Sequence, residues 1–400
     1  MTETCGLINP ISIAMAWLSL FCITASIIGC GYALGAAWTA ARFARRSTIA
    51  EPREWPDVSI LKPLAGAEVQ LVENLASFIL QDYPGRVQIV FGVQSPHDPA
   101  LLAVEEVRRR HPAADMEIVV DGAEHGSNRK VSNLVNMAGA IRHPVVVLAD
   151  SDVLVDPHYL RSTVAALLQP GVGLATCLFR GAAQGGVSSR LAAMAINDHF
   201  LPSVVLGVAT GLATPCMGPT IALSRETLAR IGGFEAFANQ LADDYAIGAA
   251  VRRTGEGLAI PQQLITHLCA DSSLAAMIGH ELRWARTVAI IDPAGFAGSI
   301  VTHALPLALL GAALRGFDAA GVGAIAAALG CRLWLKFRLA REFELPNPEY
   351  WLTPLRDMLS FAVYLGSFAT RRVSWRGHDY LVHKDGSMAA TPAGKRGKTT

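Results

Sequence analysis

Three regimes of hydrophobic patterning follow one another along the chain. Between Ile11 and Ala41 no charged residue occurs. About twenty apolar residues suffice to cross a bilayer as a helix, so residues 11–41 are predicted to form a transmembrane anchor. Three arginines follow directly, in Arg42-Phe43-Ala44-Arg45-Arg46. A cleaved signal peptide carries its basic residues ahead of a shorter apolar core; here the charges lie behind a longer one. The anchor is therefore read as permanent, and the positive-inside rule puts the chain after Arg46 in the cytoplasm.

The second regime, residues 51–292, holds most of the charge and alternates between two periods. Near-continuous apolar runs at Asp57–Leu64, Arg86–Gln94, Met116–Gly122 and Pro144–Asp152 predict strands. Helical spacing at Glu68–Gln81, Pro99–Pro112 and Lys130–Arg142 predicts the helices between them. Such alternation implies an α/β domain with a parallel sheet covered on both faces. Ligands of such sheets bind beyond the carboxyl ends of the strands. No GxGxxG or GxxxxGK[ST] follows any of these strands, which argues against a dinucleotide fold of the usual kind and against a P-loop.

Apolar runs return at Phe296–Leu314 and Ala319–Leu335, separated only by Arg315-Gly316-Phe317-Asp318, and predict a helical hairpin in the membrane. A shorter run, Met358–Thr370, is preceded by Arg356 and Asp357 and followed by Arg371 and Arg372; spanning, re-entry and an interfacial position all suit it. The organisation expected is thus an anchor (11–41), a cytosolic domain (51–292), membrane or interfacial helices (296–372) and a tail (373–400), disordered from Met388 onward.

Composition agrees with a membrane protein: 52% of residues are apolar and the mean hydropathy is +0.34. A formal net charge of +1 gives no global field to draw nucleic acid, and no nucleic-acid partner is expected. The seven cysteines form no CxxC pair, which speaks against structural zinc and against a disulfide framework.

Candidate chemistry begins at the end of the Pro144–Asp152 run. Asp150 and Asp152 place two carboxylates on one side of an extended segment. Such a pair can grip one hard divalent ion that also touches phosphate oxygens; a turn or helix cap explains the triplet equally. Asp243 and Asp244 open a predicted helix, as dipole-stabilising caps or as a general base. Arg283, Trp284 and Arg286 lie on an amphipathic helix just before the second apolar region, either snorkelling at the interface or holding an acceptor and a diphosphate. The apolar stretch His199–Pro215, broken by proline and glycine, lines an acceptor groove or dips into the interface, unless it is ordinary core. His199 and His303 are read as structural, His303 at a helix–helix contact.

The order of these features carries a resemblance. "VSILKPLAGAE", "DYPGRVQIVFGVQ", "NRKVSNL", "LADSDV", "GGFEAFANQLADDYAIG", "HELRWAR" and "VSWRGHDYLV" together resemble the ceramide glucosyltransferase family (glycosyltransferase family 21), within the inverting family 2 superfamily, from Asp57 to Val382. Among its members the chain is most similar to the bacterial branch associated with hopanoid biosynthesis. The resemblance implies a GT-A type nucleotide-sugar domain in the cell's inner membrane. It implies a UDP-sugar donor carrying N-acetylglucosamine or glucose, and a lipid acceptor such as a hopanoid polyol or ceramide. It further implies Mg²⁺ or Mn²⁺ at Asp150 and Asp152, with Asp150 also at the nucleotide sugar. Asp244 takes the place of the catalytic base, with Asp243 before it, and Arg283 and Trp284 that of the RW pair. Lys130 and Asn133 match a basic and polar pair near the nucleotide. Two positions depart from the pattern: His280 stands where the motif opens with Gln or Arg, and Ser95-Pro96-His97 stand where an Asp is expected, so that Asp98 is the substitute nucleotide contact. The rival readings are a processive polysaccharide synthase of the same superfamily, a non-catalytic membrane protein with an α/β cytosolic domain, and a two-metal nucleotidyltransferase.

Overall fold

Four of the predicted strands form, in register, the heart of the domain. In the computed structural model, which describes residues 10–46, 49–346, 348–369, 372–375, 378–383 and 386–390, these are β1 (Val58–Pro63), β2 (Val87–Val93), β3 (Asp115–Val120) and β4 (Val145–Ala149). They pair in parallel in the order β3-β2-β1-β4, with Leu61 opposite both Val90 and Leu148. The connecting helices are α2 (Leu71–Ile79), α3 (Ala100–Arg110) and α4 (Arg129–Met137).

The sheet continues differently from the expectation of an all-parallel one. Beyond β4 lie β8 (Thr220–Ser224), then β6 (Val172–Thr176), then β9 (Gly257–Ala259). β8 runs antiparallel to both β4 and β6, so the sheet is mixed. A short apolar run carries no signal of direction, because alternate residues face the same two cores whichever way it runs. Ile60, Ile89 and Val147 enter the core on one face, with α2, α3 and α5 (Tyr159–Leu167). Leu61, Val90 and Val146 enter the core on the other, with α4 and α9 (Asp243–Arg253). The short helix α8 (Arg225–Arg230) follows β8, capped by Ser224, whose hydroxyl accepts from the Thr227 amide. A second sheet, β5 (Val153–Leu154), β10 (Ile265–Cys269) and β7 (Phe179–Ala183), stands just past the carboxyl end of β4.

The apolar helices join the first of these cores. α1 (Pro10–Ala44) runs three residues past the uncharged stretch. At 1.5 Å per residue it is about 50 Å long, more than the roughly 30 Å of a bilayer core. Ile11, Trp17, Phe21 and Ile28 of its first turns are exposed. Ala33, Ala36, Ala37, Ala40 and Phe43 pack into the sheet's core beside Leu335 and Leu339 of α13 (Ala319–Glu342). Small residues there let backbones approach closely. A methyl group at Gly29 would overlap the Val301 carbonyl.

The stretch from Phe296 to Leu314 is broken, contrary to a single continuous span. α11 (Pro293–Gly298) and a 3₁₀ turn (Ser299–Thr302) lead to α12 (Ala304–Leu314) across a 66° bend. Pro306 accounts for the restart, since proline is tolerated only in the first turn of a helix. Three helices among the described residues are long and apolar enough to cross a membrane, or four if the bent pair counts as one span. One of the three comprises α6 (Val187–Ala195), a π-helical turn (Ile196–Phe200) and α7 (Leu201–Thr210), which takes up most of the His199–Pro215 stretch. α10 (Leu274–Ile291) precedes α11, and α14 (Thr353–Ser367) follows α13.

The segment read as a tail contains a sheet. β11 (Arg372–Trp375), β12 (His378–Val382) and β13 (Met388–Ala390) pair antiparallel. The Met388 amide donates to the Asn239 carbonyl at 2.8 Å, and the Ser127 hydroxyl donates to the Met388 carbonyl at 2.9 Å. Main-chain pairing thus replaces the disorder expected at Met388–Ala390; Arg371 and residues 391–400 lie outside the described residues.

Candidate active site

β4 is buried along its whole length and delivers Asp150-Ser151-Asp152 to the sheet's carboxyl edge. The three carbonyls of this turn are all held. Lys62 Nζ donates to Asp150, Asn74 Nδ2 to Ser151 at 3.1 Å, and the Leu268 amide to Asp152 at 2.9 Å. Lys62 is fully buried with its ammonium 3.8 Å from the Phe78 ring centroid. Burial pulls its pKa down to about 7 against the attraction of Asp150 and Asp152. The turn's backbone is therefore fixed from three elements, and its two carboxylates remain to face outward from the strand.

They face different partners. Asp150 Oδ1 lies 2.7 Å from Lys130 Nζ, and the same ammonium lies 3.4 Å from Asp243 Oδ2. Lys130 sits in the first turn of α4, where Asn128 caps the helix by accepting from the Val131 amide. Burial works against the Lys130 charge, but Asp150 and Asp243 outweigh it and raise its pKa. Burial raises Asp150 in turn, with Lys130 opposing.

Asp244, half-buried beside them, opens α9. Its Oδ2 accepts from the Gly218 amide at 3.0 Å and its Oδ1 from the Tyr245 amide at 2.7 Å. A Cβ at Gly218 would lie 3.3 Å from Asp244 Oδ2 and 3.6 Å from Asp150 Oδ2, so both carboxylates converge on this glycine. Burial, then the charge of Asp243, push the Asp244 carboxyl up to about 6. A carboxylate oriented by two amides, with a pKa near neutrality, is suited to take a proton.

Asp152 turns to a residue with no sequence motif around it. Its Oδ1 faces His267 Nδ1 of β10 at 3.5 Å. Both atoms are buried and make no hydrogen bond among the described residues. Burial opposes either charge, but each holds the other charged: Asp152 drops to about 2 and His267 rises. His267 shares its strand face with Ile265 and Cys269, both buried; a polar residue on an apolar face is the signal that could have found it. The His267 ring is 6.2 Å from that of Trp284, which meets the His280 ring edge-on at 4.6 Å. His280, Arg283 and Trp284 all lie on α10, and His280 Nδ1 is 3.8 Å from Asp271 Oδ1. The RW helix thus reaches the Asp-x-Asp turn through His267.

Two further candidate nucleotide contacts also hold main chain. Asn133 is 3% exposed and donates to the Gly92 carbonyl of β2 at 2.8 Å, a helix–sheet contact. It falls three residues after Lys130, on the apolar face of α4 beside Val131, Leu134 and Met137. Asp98 Oδ1 accepts from the amides of Gly66 and Ala100, both at 2.9 Å. That oxygen ties the loop after β1 to the start of α3. His199 pairs with Asp357 at 3.1 Å, and the His303 ring lies 5.4 and 5.0 Å from Phe361 and Tyr364 of α14; both are structural.

Among the described residues no group of three or more His, Cys, Asp or Glu side chains is placed to hold a metal ion. The carboxylates of Asp150 and Asp152, on adjoining sides of the turn, are few protein ligands, and such a pair suits an ion that takes the rest from phosphates or water.

Comparison with known proteins decides the family. Residues 21–388 match the model of glycosyl transferase family 21. The chain belongs to glycosyltransferase family 21. As a member it is a glycosyltransferase. It is 21% identical over 355 residues to ceramide glucosyltransferase 1 of Caenorhabditis elegans, covering 83% of this chain and 73% of that protein. It is 31% identical over 130 residues to a ceramide glucosyltransferase of Komagataella phaffii, covering 32% of this chain and 25% of the relative. Its fold is shared with a mannosyltransferase from Pyrobaculum calidifontis solved with GDP-Man and Mn²⁺: TM-score 0.52 at 22% identity, over 88% of this chain and 99% of that one. The family-21 chain therefore has the mixed α/β GT-A type fold, flanked by apolar helices at both ends.

Proposed function

We propose that this family-21 glycosyltransferase moves a sugar from a UDP-sugar to the hydroxyl of a membrane lipid in one inverting step. The observation that carries the reading is Asp244: a carboxylate held by two backbone amides, with its pKa pushed up to about 6, converging with Asp150 on Gly218. Asp244 takes the proton of the acceptor hydroxyl as its oxygen attacks the anomeric carbon. General-base help of this kind is worth roughly 10²- to 10⁴-fold. Attack on the face opposite the leaving diphosphate gives a β-linked product from an α-linked donor, with no covalent intermediate.

Asp150 and Asp152 would hold Mg²⁺ or Mn²⁺, which would supply Lewis-acid neutralisation of the diphosphate, with His267 orienting Asp152 from β10. Lys130, placed between Asp150 and Asp243, keeps the remaining negative charge of this corner balanced. Arg283 and Trp284 on α10 face the leaving group and the acceptor. α10 runs directly into the apolar α11 and α12, which supports an acceptor presented from the bilayer surface. The loop from Leu212, which is 87% exposed, to Gly218 leads from the apolar α7 to the base and forms the acceptor side of the site. The domain faces the cytoplasm of the inner membrane, where UDP-sugars are made. The family resemblance favours N-acetylglucosamine or glucose as the sugar and a hopanoid polyol or ceramide-like lipid as acceptor.

Purified protein, supplied with Mn²⁺ or Mg²⁺, a panel of UDP-sugars and a membrane lipid extract, tests the reading. The expected product is a β-linked glycolipid, identified by mass spectrometry and by the anomeric coupling in its NMR spectrum. An α-linked product, or sugar passed only to water, contradicts it.

A further inference from the structure

α10 carries His280, Arg283 and Trp284, and its position is fixed from the membrane side. Glu281, next to His280, reaches Arg356 in the first turn of α14. The contact is bidentate: Arg356 Nη1 to Glu281 Oε1 at 2.8 Å and Nη2 to Oε2 at 2.6 Å. Arg356 is 1% exposed. Its Nη1 also donates to the Leu191 carbonyl of α6 at 3.2 Å, and its Nε to the Ser360 hydroxyl at 3.1 Å. All three guanidinium nitrogens are engaged. A planar fork gripping both oxygens fixes rotation as well as distance, which a lysine cannot do.

The neighbouring residue faces a different helix. Asp357, a helical step of about 100° around α14, accepts from Arg332 of α13 at 2.9 and 2.7 Å and pairs with His199 of the π-helical turn. In the same turn Asn197 brackets Gly181 of β7, accepting from its amide at 2.8 Å and donating to its carbonyl at 2.9 Å. Gly181 is the register partner of His267. Two polar paths therefore run from the apolar helices to His267: one through Arg356, Glu281 and the His280–Trp284 face of α10, the other through Asp357, the π-helical turn and β7.

We propose that Arg356 is a positioning residue of the transferase. Through Glu281 it sets where His280, Arg283 and Trp284 stand against His267 and Asp152, so the membrane helices share in defining the transfer geometry. The inference rests on the proposed lipid transfer and deepens it. The Asp-x-Asp turn carries most of the hold on the donor, so this pair bears on transfer far more than on donor binding.

Glu281→Gln and Arg356→Lys are compared with wild type in the full-length protein in lipid nanodiscs, by UDP titration with Mn²⁺ and by kcat for lipid transfer. The expected result for Glu281→Gln is a kcat lower by about 10- to 100-fold, the scale of a misplacement near 1 Å, with UDP affinity within about threefold of wild type. Arg356→Lys, which keeps the charge and loses the fork, falls between. Should Glu281→Gln not be recovered folded, Glu281→Asp gives the same comparison with the charge retained. A kcat within twofold of wild type overturns the inference, and so does a parallel fall of UDP affinity and kcat. Absence of lipid transfer by wild type overturns the function itself and this inference with it; rapid transfer by both wild type and Glu281→Gln overturns the positioning alone.

Discussion

Two regions of this chain bury charge, and they do so in opposite ways. Around α13 and α14 the ions are matched: Arg332 with Asp357 at 2.7 Å, Lys336 with Asp198 at 2.6 Å, Arg356 with Glu281 at 2.6 Å. At the edge of the main sheet the balance is incomplete. Lys130 is shared between Asp150 and Asp243, and Asp152 Oδ1 and His267 Nδ1 face each other with no hydrogen bond. Buried charge that is shared or loosely paired is costly, and such a corner has room for a ligand to complete the set. A matched network marks architecture. The two regions meet on α10, which carries Glu281 on one side and Trp284 near His267 on the other.

Breaking the matched region has the largest expected effect. Asp357→Asn strips Arg332 of its counter-ion among packed helices; leaving such a charge uncompensated costs about 3–5 kcal/mol. The yield of folded, detergent-soluble protein and its melting temperature should both drop sharply. A variant as stable as wild type would mean that this network is not architectural. The incomplete region should respond the other way. Asp152→Ala and His267→Ala should leave the melting temperature near that of wild type while weakening Mn²⁺-dependent UDP binding. For His267→Ala the loss should be about 10- to 100-fold, the usual range for residues orienting a metal site. Unchanged Mn²⁺ dependence in both variants would remove the metal role from this corner.

The difference between the regions also explains what could be read from the sequence. β1, β2 and β4 were legible because a strand buried on both faces is a nearly unbroken apolar run, as in Val145–Ala149. α1 was legible for the same reason on a longer scale. Asp150, Asp152, Asp243 and Asp244 were legible as pairs at element ends. The direction of β8 was hidden, because Thr220–Ser224 reads alike both ways. The π-helical turn that points Asn197, Asp198 and His199 inward together was hidden as well, since helical spacing assumes 3.6 residues per turn. The role of His267 was hidden because its partner Asp152 lies 115 residues away in the chain and only the β5–β10 pairing brings them together. The bond from Asn133 to the Gly92 carbonyl was hidden for the same reason, since β2 and α4 meet only in the fold.

The central claim is that Asp244 removes a proton from an acceptor hydroxyl beside a donor held by the Asp-x-Asp turn. Its most direct test sets UDP-sugar affinity and lipid-transfer rate side by side for wild type and Asp244→Asn in the presence of Mn²⁺. The account predicts unchanged affinity and a transfer rate lower by roughly 10²- to 10⁴-fold. Wild-type transfer should also decline as pH falls through the region at or below about 6, where the raised Asp244 carboxyl becomes protonated and can no longer accept a proton. A bound cation nearby can only lower that midpoint, and the variant should lack the decline. Full transfer activity in Asp244→Asn, or loss of donor affinity in step with rate, would contradict the account.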